Sequence, residues 1–392
     1  MDRRAIVAGA GVGGLSSALA LSQASFRVTI YEQTKSLKEF GAGIQLTPNA
    51  TRVLSRLGLL ERVSRVATRP LGVQVLRGRD DAVLARMPLD DAERRWGAQY
   101  LTLHRADLQA SLADAVSCDP NIDLVLDAGV TGVRQGGDQV SIIINGNESA
   151  LDSADLLVGA DGLRSTVRES LGWGEAAAAA FTGRVAYRAT VNSLLLEPRW
   201  SRPEITLRLS PNAHLVHYPL RGGSIVNIVA VVQSETSRSL NDPLWDGGAY
   251  LPVLERAFAQ WAAPTRKLIA GMGWRAWPLY GRPPIRTFHY GRIALVGDAA
   301  HPMVPFLAQG AAQAIEDAGA IGASLSNGKD IPSGLSDYSR SRVGRATRIQ
   351  IEAQRQGRIY HLSGPMRLAR DAALRLLGET GLIARYDWLY GA

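Results

Sequence analysis

The sequence predicts an α/β protein in which a parallel sheet carries an inserted antiparallel sheet and ends in a helical C-terminal segment. Three observations predict it. Two short apolar runs, Ala5–Ala8 and Ala294–Val296, each end in a glycine-containing turn, as strands buried on both faces of a parallel sheet do. Between them, from about residue 183 to 277, alternating runs such as PEITLRLS, AHLVHYPL and SIVNIVAVV have the pattern of half-buried antiparallel strands. After residue 340 the chain reads as arginine-rich helix and ends in RYDWLYGA.

The first strand runs into Gly9, Gly11 and Gly14, a G-x-G-x-x-G turn with Val12 and Gly13 between the last two. One glycine makes the tight turn, the next lets the backbone approach a pyrophosphate, and the third lets helix and strand pack closely. Leu15 to Leu21 continue as a helix whose first N–H groups face an anion, a dipole effect of about 0.3–1 kcal/mol. RVTIYE is the second strand. It ends in Glu32, 18 residues after Gly14, an acid placed to meet the hydroxyls of an adenosine ribose.

A glycine-rich loop, EFGAGIQLTP, holds Ala42 and Gly43, and a helix over NATRVLSRLGLLERV follows. Residues 72–88 are strand-like, and YLTLHRADLQASLADAV reads as a strand entering a helix with Arg105 at the junction. DLVLDAGVTGVRQ and QVSIIIN read as a pair of strands that includes Val130. ADLLVGADGLRSTVRESL is a buried strand, a turn at Asp161 and Gly162, and a helix; residues 175–181 are a small helix or loop. RIALVGDAA returns to the buried parallel type, with Asp298 in its turn. A proline-studded loop through Pro305 then leads to Gly310, Ala311 and Ala312 at the head of a helix. The expected division is 1–71, 96–182 and 278–340 for the parallel-sheet domain, 72–95 and 183–277 for the inserted sheet, and 341–392 for the C-terminal helices.

Composition narrows the class. Lys plus Arg number 44 against 36 acids, for a net charge of +8 and a pI near 9.8. The arginines are scattered and lack interleaved aromatics, which argues against nucleic acid and for attraction of small anions. The helical run at Arg340, Arg342, Arg345, Arg348, Arg355 and Arg358 reads as a solvated face. The N-terminus has the charge order of a signal peptide, but glycines interrupt its apolar run and no good cleavage site follows. No segment approaches the ~18 apolar residues of a membrane span, so a soluble cytoplasmic protein is expected. Cys118 is the only cysteine, and no His/Cys/Asp cluster has metal-ligand spacing. No G-x-S-x-G elbow of a serine hydrolase is present.

Assembled, these motifs resemble the single-component FAD-dependent aromatic hydroxylases, which include salicylate hydroxylase, 3-hydroxybenzoate 6-hydroxylase and 6-hydroxynicotinate 3-monooxygenase. The resemblance rests on Gly9–Gly14 with Glu32, GAGI, LHRADL, GADGLRSTVR, GDAAHPMVPFLAQGAAQAIEDA and the DWLYG tail, and spans nearly the whole chain. It implies a Rossmann-like FAD-binding domain, with NADH (favoured) or NADPH as co-substrate. It also implies hydroxylation of a small aromatic acid by O2 through a flavin C4a-hydroperoxide. The family's roles carried onto matching positions put Arg105 at the pyrophosphate or ribitol and Asp298 at a ribitol hydroxyl. The Val130 backbone falls at the adenine, Asp161 in FAD and NAD(P)H binding, and Gly310, Ala311 and Ala312 at the pyrimidine end of the flavin. Pro305 falls beside the reacting carbon. Ala308 stands where many members have glycine, which implies slightly less loop freedom.

The substrate must be held as its more nucleophilic phenolate, and a positioned base contributes roughly 10²–10⁴-fold. In AHLVHYPL, His214, Val216 and Tyr218 share one strand face while His217 points the other way. His214 with Tyr218 is the candidate pair for deprotonating and orienting the ring; the alternative is a satisfied strand histidine. His217 reads as structural and His301 as a brace for its loop, while His104, His289 and His361 carry no signal. Arg188 is a candidate partner for a substrate carboxylate. Three readings compete: a hydroxypyridine carboxylate or a larger polycyclic aromatic as substrate, a flavin halogenase, and a non-enzymatic nucleotide sensor. GWRAWPLY places Trp274 and Trp277 at the wrong spacing for a halogenase, and a sensor has no need of the proline loop. Monomer and homodimer are both open.

Overall fold

The computed structural model describes residues 3–37, 43–173, 178–234 and 251–391. Its first layer is a six-stranded sheet in the order Ile122–Val125, Phe26–Tyr31, Arg3–Ala8, Leu156–Gly159, Ile293–Leu295, His289–Tyr290. All neighbours are parallel except the last pair, a short antiparallel hairpin. Ala5, Ile6, Val7 and Ala8 are almost wholly buried, as an apolar strand covered on both faces must be. Only Leu156–Gly159 separates the first strand from Ile293–Leu295, so both glycine turns leave the same end of the sheet side by side.

The helices that follow those turns, Val12–Gln23 and Gly310–Leu325, pack against each other. Glycine makes this close approach feasible: a Cβ on Gly322 would lie 2.9 Å from the Ala20 carbonyl oxygen.

The second layer is a seven-stranded sheet in the order Arg275–Gly281, Ala180–Asn192, Ile225–Gln233, Ala213–Leu220, Ile205–Ser210, Gly72–Arg77, Val83–Pro88. It is antiparallel except where Ile205–Ser210 meets Gly72–Arg77 in parallel. That exception corrects the wholly antiparallel expectation. The 72–88 hairpin enters the sheet from an earlier part of the chain, so no hairpin turn dictates its direction.

Two smaller sheets differ from expectation in detail. Gly43–Leu46, expected as loop, pairs with Leu101–His104. Ile122–Val125 joins the parallel sheet, while Val130–Gly136, Gln139–Ile144 and Asn147–Ala154 form a separate antiparallel sheet. The strand Asn147–Ala154 escaped the sequence reading because NESALDSA has no apolar alternation. Of residues 175–181, 175–177 lie outside the described residues, and Ala180 and Phe181 open a strand in place of the expected helix or loop.

The C-terminal helix Ile331–Tyr360 spans 30 residues and links the layers. Near its start the Tyr338 hydroxyl donates to the Leu295 carbonyl at 2.8 Å, and its far end reaches the second sheet. Gly364–Ala384 follows, bent at Gly378, and then Asp387–Tyr390. The arginine run is not a uniformly solvated face. Arg340 and Arg355 are exposed, but Arg342 is only 4% exposed and bonds Asp317. Arg345 is mostly buried against Glu316 and donates to the Trp388 and Leu389 carbonyls, which ties down the tail. Among the described residues no helix is long and apolar enough to cross a membrane, and no group of His, Cys, Asp and Glu has the makings of a metal site.

Candidate active site

The turn after the first strand is shaped by backbone contact. Gly9 has φ +101°, and a Cβ there would lie 2.7 Å from the Ala160 carbonyl oxygen; a Cβ on Gly14 would overlap the Gly9 carbonyl. Gly11 is different, because a Cβ there meets nothing within 4 Å. It caps Val12–Gln23 without a side-chain hydrogen bond, so that helix presents bare N–H groups. Gly310 repeats the pattern: open space around it, and a helix N-terminus with no side-chain cap. Val12 and Ala312 are buried and Gly13 faces Ala314, so these three support the turns through backbone and packing.

Side chains surround the first turn. The Glu32 carboxylate accepts from Ala10 N–H at 2.8 Å and from Thr34 N–H at 2.9 Å. Its carbonyl accepts from Ala128 N–H, which brings the segment leading to Val130 alongside. Arg105 opens the helix Arg105–Ser117; one turn later the Gln109 amide donates to the Ala10 carbonyl at 3.1 Å, so that helix lies over the turn. Asp298 is exposed by area yet ringed by protein, the condition of a side chain projecting into a deep cleft. Burial raises its carboxyl, against the opposing pull of Arg105 and His301.

Asp161 is turned towards its own loop, where it accepts from Val167 N–H at 3.0 Å. Burial raises its carboxyl in spite of hydrogen bonds from Ser165 and the backbone. Ala42 lies outside the described residues. Gly43 donates to Asn227 Oδ1 at 2.7 Å, and its missing side chain makes room for Asn227 and the Tyr218 ring.

Behind the second turn His301 does brace its loop. Its Nε2 lies 2.5 Å from Asp317 Oδ2, which also accepts from Gly297 N–H at 2.9 Å, while Oδ1 accepts from Arg342 at 2.7 Å. Burial alone would raise the Asp317 carboxyl, but His301 and Arg342 hold it below the usual range.

Between the layers lies a cavity of about 140 Å³. His214 and Val216 form one wall and Pro305–Ala308 another. Gln45 and Tyr100 stand between them, and Tyr360, Tyr386 and Tyr390 of the C-terminal helices close it. The His214 ring packs against Phe306 and Tyr360, with centroids 5.4 and 5.2 Å away. Its Nδ1 lies 2.8 Å from Nε2 of His361. Burial, reinforced by His361 and Arg184, pushes the His214 imidazole well below its ordinary pKa.

Tyr218 shares the His214 face but does not line the cavity. It stands near Gln45, whose side-chain oxygen accepts from the Tyr100 hydroxyl at 2.7 Å, and burial raises its phenol against the pull of Arg188 and Gln45. His217 packs on Trp200 on the opposite face, away from the cavity. Arg188 does not reach the cavity either; its guanidinium lies over the Trp277 ring at 5.2 Å, because a strand neighbour offers a flat π face at that height.

Two arginines that sequence reasoning missed line the cavity instead, Arg370 and Arg385. Arg370 is consumed by Asp371 and the Ile359 and Tyr360 carbonyls, whereas Arg385 is exposed. His361, set aside on sequence grounds, is the direct partner of His214. The only signal that could have found it is its place in RIYHLSGP, where a helix stops at a tyrosine and a histidine.

Known proteins are similar to this chain. Residues 2–353 match the family described as FAD binding domain. The chain is 33% identical over 394 residues to the 3-hydroxybenzoate 6-hydroxylase of Polaromonas naphthalenivorans (strain CJ2), covering 100% of this chain and 96% of that protein. It is 35% identical over 393 residues to a 3-amino-4-hydroxybenzoate 2-monooxygenase of Streptomyces platensis, covering 99% and 96%. Among solved structures, a salicylate hydroxylase substrate complex matches with a TM-score of 0.84 and 25% identity, covering 100% of this chain and 95% of that one.

Proposed function

Since the chain belongs to the FAD-binding-domain family, we propose that it is an FAD-dependent monooxygenase that hydroxylates a small, electron-rich aromatic acid of the hydroxybenzoate type with NADH or NADPH and O2. One observation carries the reading. The loop from His301 to Gly310 lends Pro305–Ala308 to the wall of the His214 cavity and ends at an uncapped helix N-terminus, on a helix packed against the one that follows the first glycine turn.

The residues fit FAD. Glu32 would take the ribose, Gly11 N–H groups and Arg105 the pyrophosphate, Asp298 the ribitol, and the N-terminus at Gly310 and Ala311 the pyrimidine edge of the ring. Bound flavin would accept a hydride from the nicotinamide and activate O2 for transfer to the substrate. The chain's part is then positional and electrostatic. The helix N-terminus at Gly310 favours negative charge on the ring beside it. Pro305, Phe306 and the tyrosines of the C-terminal helices keep water from the reacting atoms. His214 meets the hydroxyl oxygen of the substrate and holds it as the anion, with Tyr218 supporting the wall through Gln45. Arg385, in place of Arg188, receives the carboxylate.

The test is NADH oxidation by the purified holoenzyme with and without hydroxybenzoates, aminobenzoates and hydroxypyridine carboxylates. A hydroxybenzoate is expected to stimulate oxidation and to yield a hydroxylated product. His214→Ala should keep its flavin and lose product formation by about 10²–10³-fold, the usual effect of removing one donor to a reacting anion. Stimulation by no aromatic acid sinks the hydroxylase reading; unchanged product formation in the variant removes His214 from it.

A further inference from the structure

We propose that His361 and Arg184 fix the tautomer of His214, so that His214 offers an N–H donor to the cavity and binds the substrate's ring oxygen as an anion without taking its proton. This rests on the hydroxylase reading and deepens it.

The argument is one of donors and acceptors. His361 follows the helix Ile331–Tyr360 and is 7% exposed. Its Nε2 lies 2.8 Å from His214 Nδ1, and its Nδ1 lies 3.4 Å from Arg184 Nε. A guanidinium has donors only, so Nδ1 of His361 must accept, and the single proton of that neutral ring sits on Nε2. That N–H points at His214 Nδ1, which must therefore accept in turn. The proton of His214 is left on its own Nε2, the nitrogen remaining for the cavity. The opposite arrangement would set the Arg184 N–H against an N–H of His361. Hydrogen bonds aligned in one direction from a permanent cation polarise each other and strengthen the last donor.

The surroundings keep both rings neutral. Arg184, with Arg358 near it, and Arg370, locked to Asp371, face the pair, and the neutral phenol of Tyr360 packs on His214. Among the described residues no carboxylate bonds either imidazole. Burial first, then Arg184 and Arg370, push His361 down to about 3. An imidazolium at His214 would have no anion beside it except the phenolate itself. The proton balance is then simple: the phenol O–H bond breaks, its electron pair stays on oxygen, and the proton leaves to bulk water. His361 is a positioning residue in this scheme, since it reaches the substrate only through His214.

The test uses the holoenzyme and a nitro-substituted 3-hydroxybenzoate, whose phenol and phenolate differ in absorbance. Binding is followed in weak buffer with an indicator dye, below the pH at which the free ligand ionises. About one proton should be released per phenolate bound, and the bound phenol should ionise at lower pH than the free one. His361→Leu should raise the pKa of the bound phenol by about one unit, a tenfold loss of phenolate preference. It should also lower kcat more than it raises KM. His361→Gln, whose amide can still donate to His214 Nδ1, should recover most of the shift. Phenolate binding with no proton release means that His214 takes the proton, and overturns the inference alone. So does a bound-phenol pKa unchanged in both variants while flavin is retained. A wild-type holoenzyme that binds no aromatic acid overturns the hydroxylase reading first.

Discussion

Two buried histidines stand at opposite ends of one structural connection and are wired in opposite ways. His301 begins the loop, pressed against Asp317, which Arg342 and Gly297 also hold. His214 meets the same loop five residues later through Phe306, but its hydrogen-bond partner is a second imidazole and its charged neighbours are arginines. Beside an anion a histidine can become part of a fixed ionic frame. Beside cations it stays neutral, with one ring nitrogen left for a ligand. Burial is equal in the two places, so the difference lies in the partner and not in the depth.

The harshest way to break the contrast is to remove the anion. Asp317→Asn leaves Arg342 buried with half its counter-charge and puts an amide N–H where three donors converge. Losing one partner of a buried pair costs about 3–5 kcal/mol, towards the lower end here because Glu316 still faces Arg342. The Gly297–Asp298 turn loses its anchor at the same time, so flavin affinity should fall with stability. Denaturant unfolding and flavin titration of the variant check both. A fully stable variant with normal flavin affinity would mean that the frame is dispensable.

The contrast also explains what could be read in the chain beforehand. Glycine turns were legible because much of their constraint is contiguous: Gly14 is pressed on the Gly9 carbonyl one turn away, Gly9 has a φ of +101° besides its contact with distant Ala160, and Glu32 lies at the end of the next strand. The cavity was not legible in the same way, because its wall is assembled from residues near 45, 100, 214, 305, 360 and 386. His361 and Arg184 are partners only because a long helix ends over the second sheet. Arg342 and Arg345 looked solvated because their acids sit on another helix. The sequence does carry one clue: Glu316 and Asp317 interrupt an otherwise apolar helix, and buried carboxylates demand cations. Arg188 lies over Trp277 and off the cavity wall, and nothing in VAYRAT announces the ring beneath it.

A pH series sharpens the contrast at intermediate cost. His214, His217 and His361 have folded pKa values below the unfolded value of about 6.5, so below that pH the unfolded chain binds more protons than the folded one. Stability should decline as pH falls from about 6.5 towards the folded values, at up to about 1.4 kcal/mol per pH unit for each histidine. Asp317 acts in a separate window. Its carboxyl is depressed, so its contribution is intact above about 4 and is lost only in stronger acid. His361→Gln should flatten the loss between pH 6.5 and 5 by roughly one histidine's share. Urea unfolding of wild type and variant at pH 7, 6 and 5 measures it, and an unchanged slope would show that His361 is not held neutral by the fold.

The smallest effect lies on the connection itself. Ala308 adopts φ 54° and ψ 34°, the left-handed region, just after Pro305–Leu307. A side chain there costs about 1–2 kcal/mol through the clash of Cβ with the following carbonyl. Glycine would remove that clash, but it returns about 0.4–1 kcal/mol of freedom to the unfolded chain. Ala308→Gly should therefore stabilise the holoenzyme by at most about 1.5 kcal/mol, a rise in Tm of no more than about 1–4 °C. The hydrogen bonds of His301 and His214 lie outside this residue, so the pH dependence of turnover should be kept. An unchanged or lower Tm would show that the alanine is accommodated without strain. A change in the pH profile of turnover would mean that the loop couples the two histidines, and that they are not independent sites.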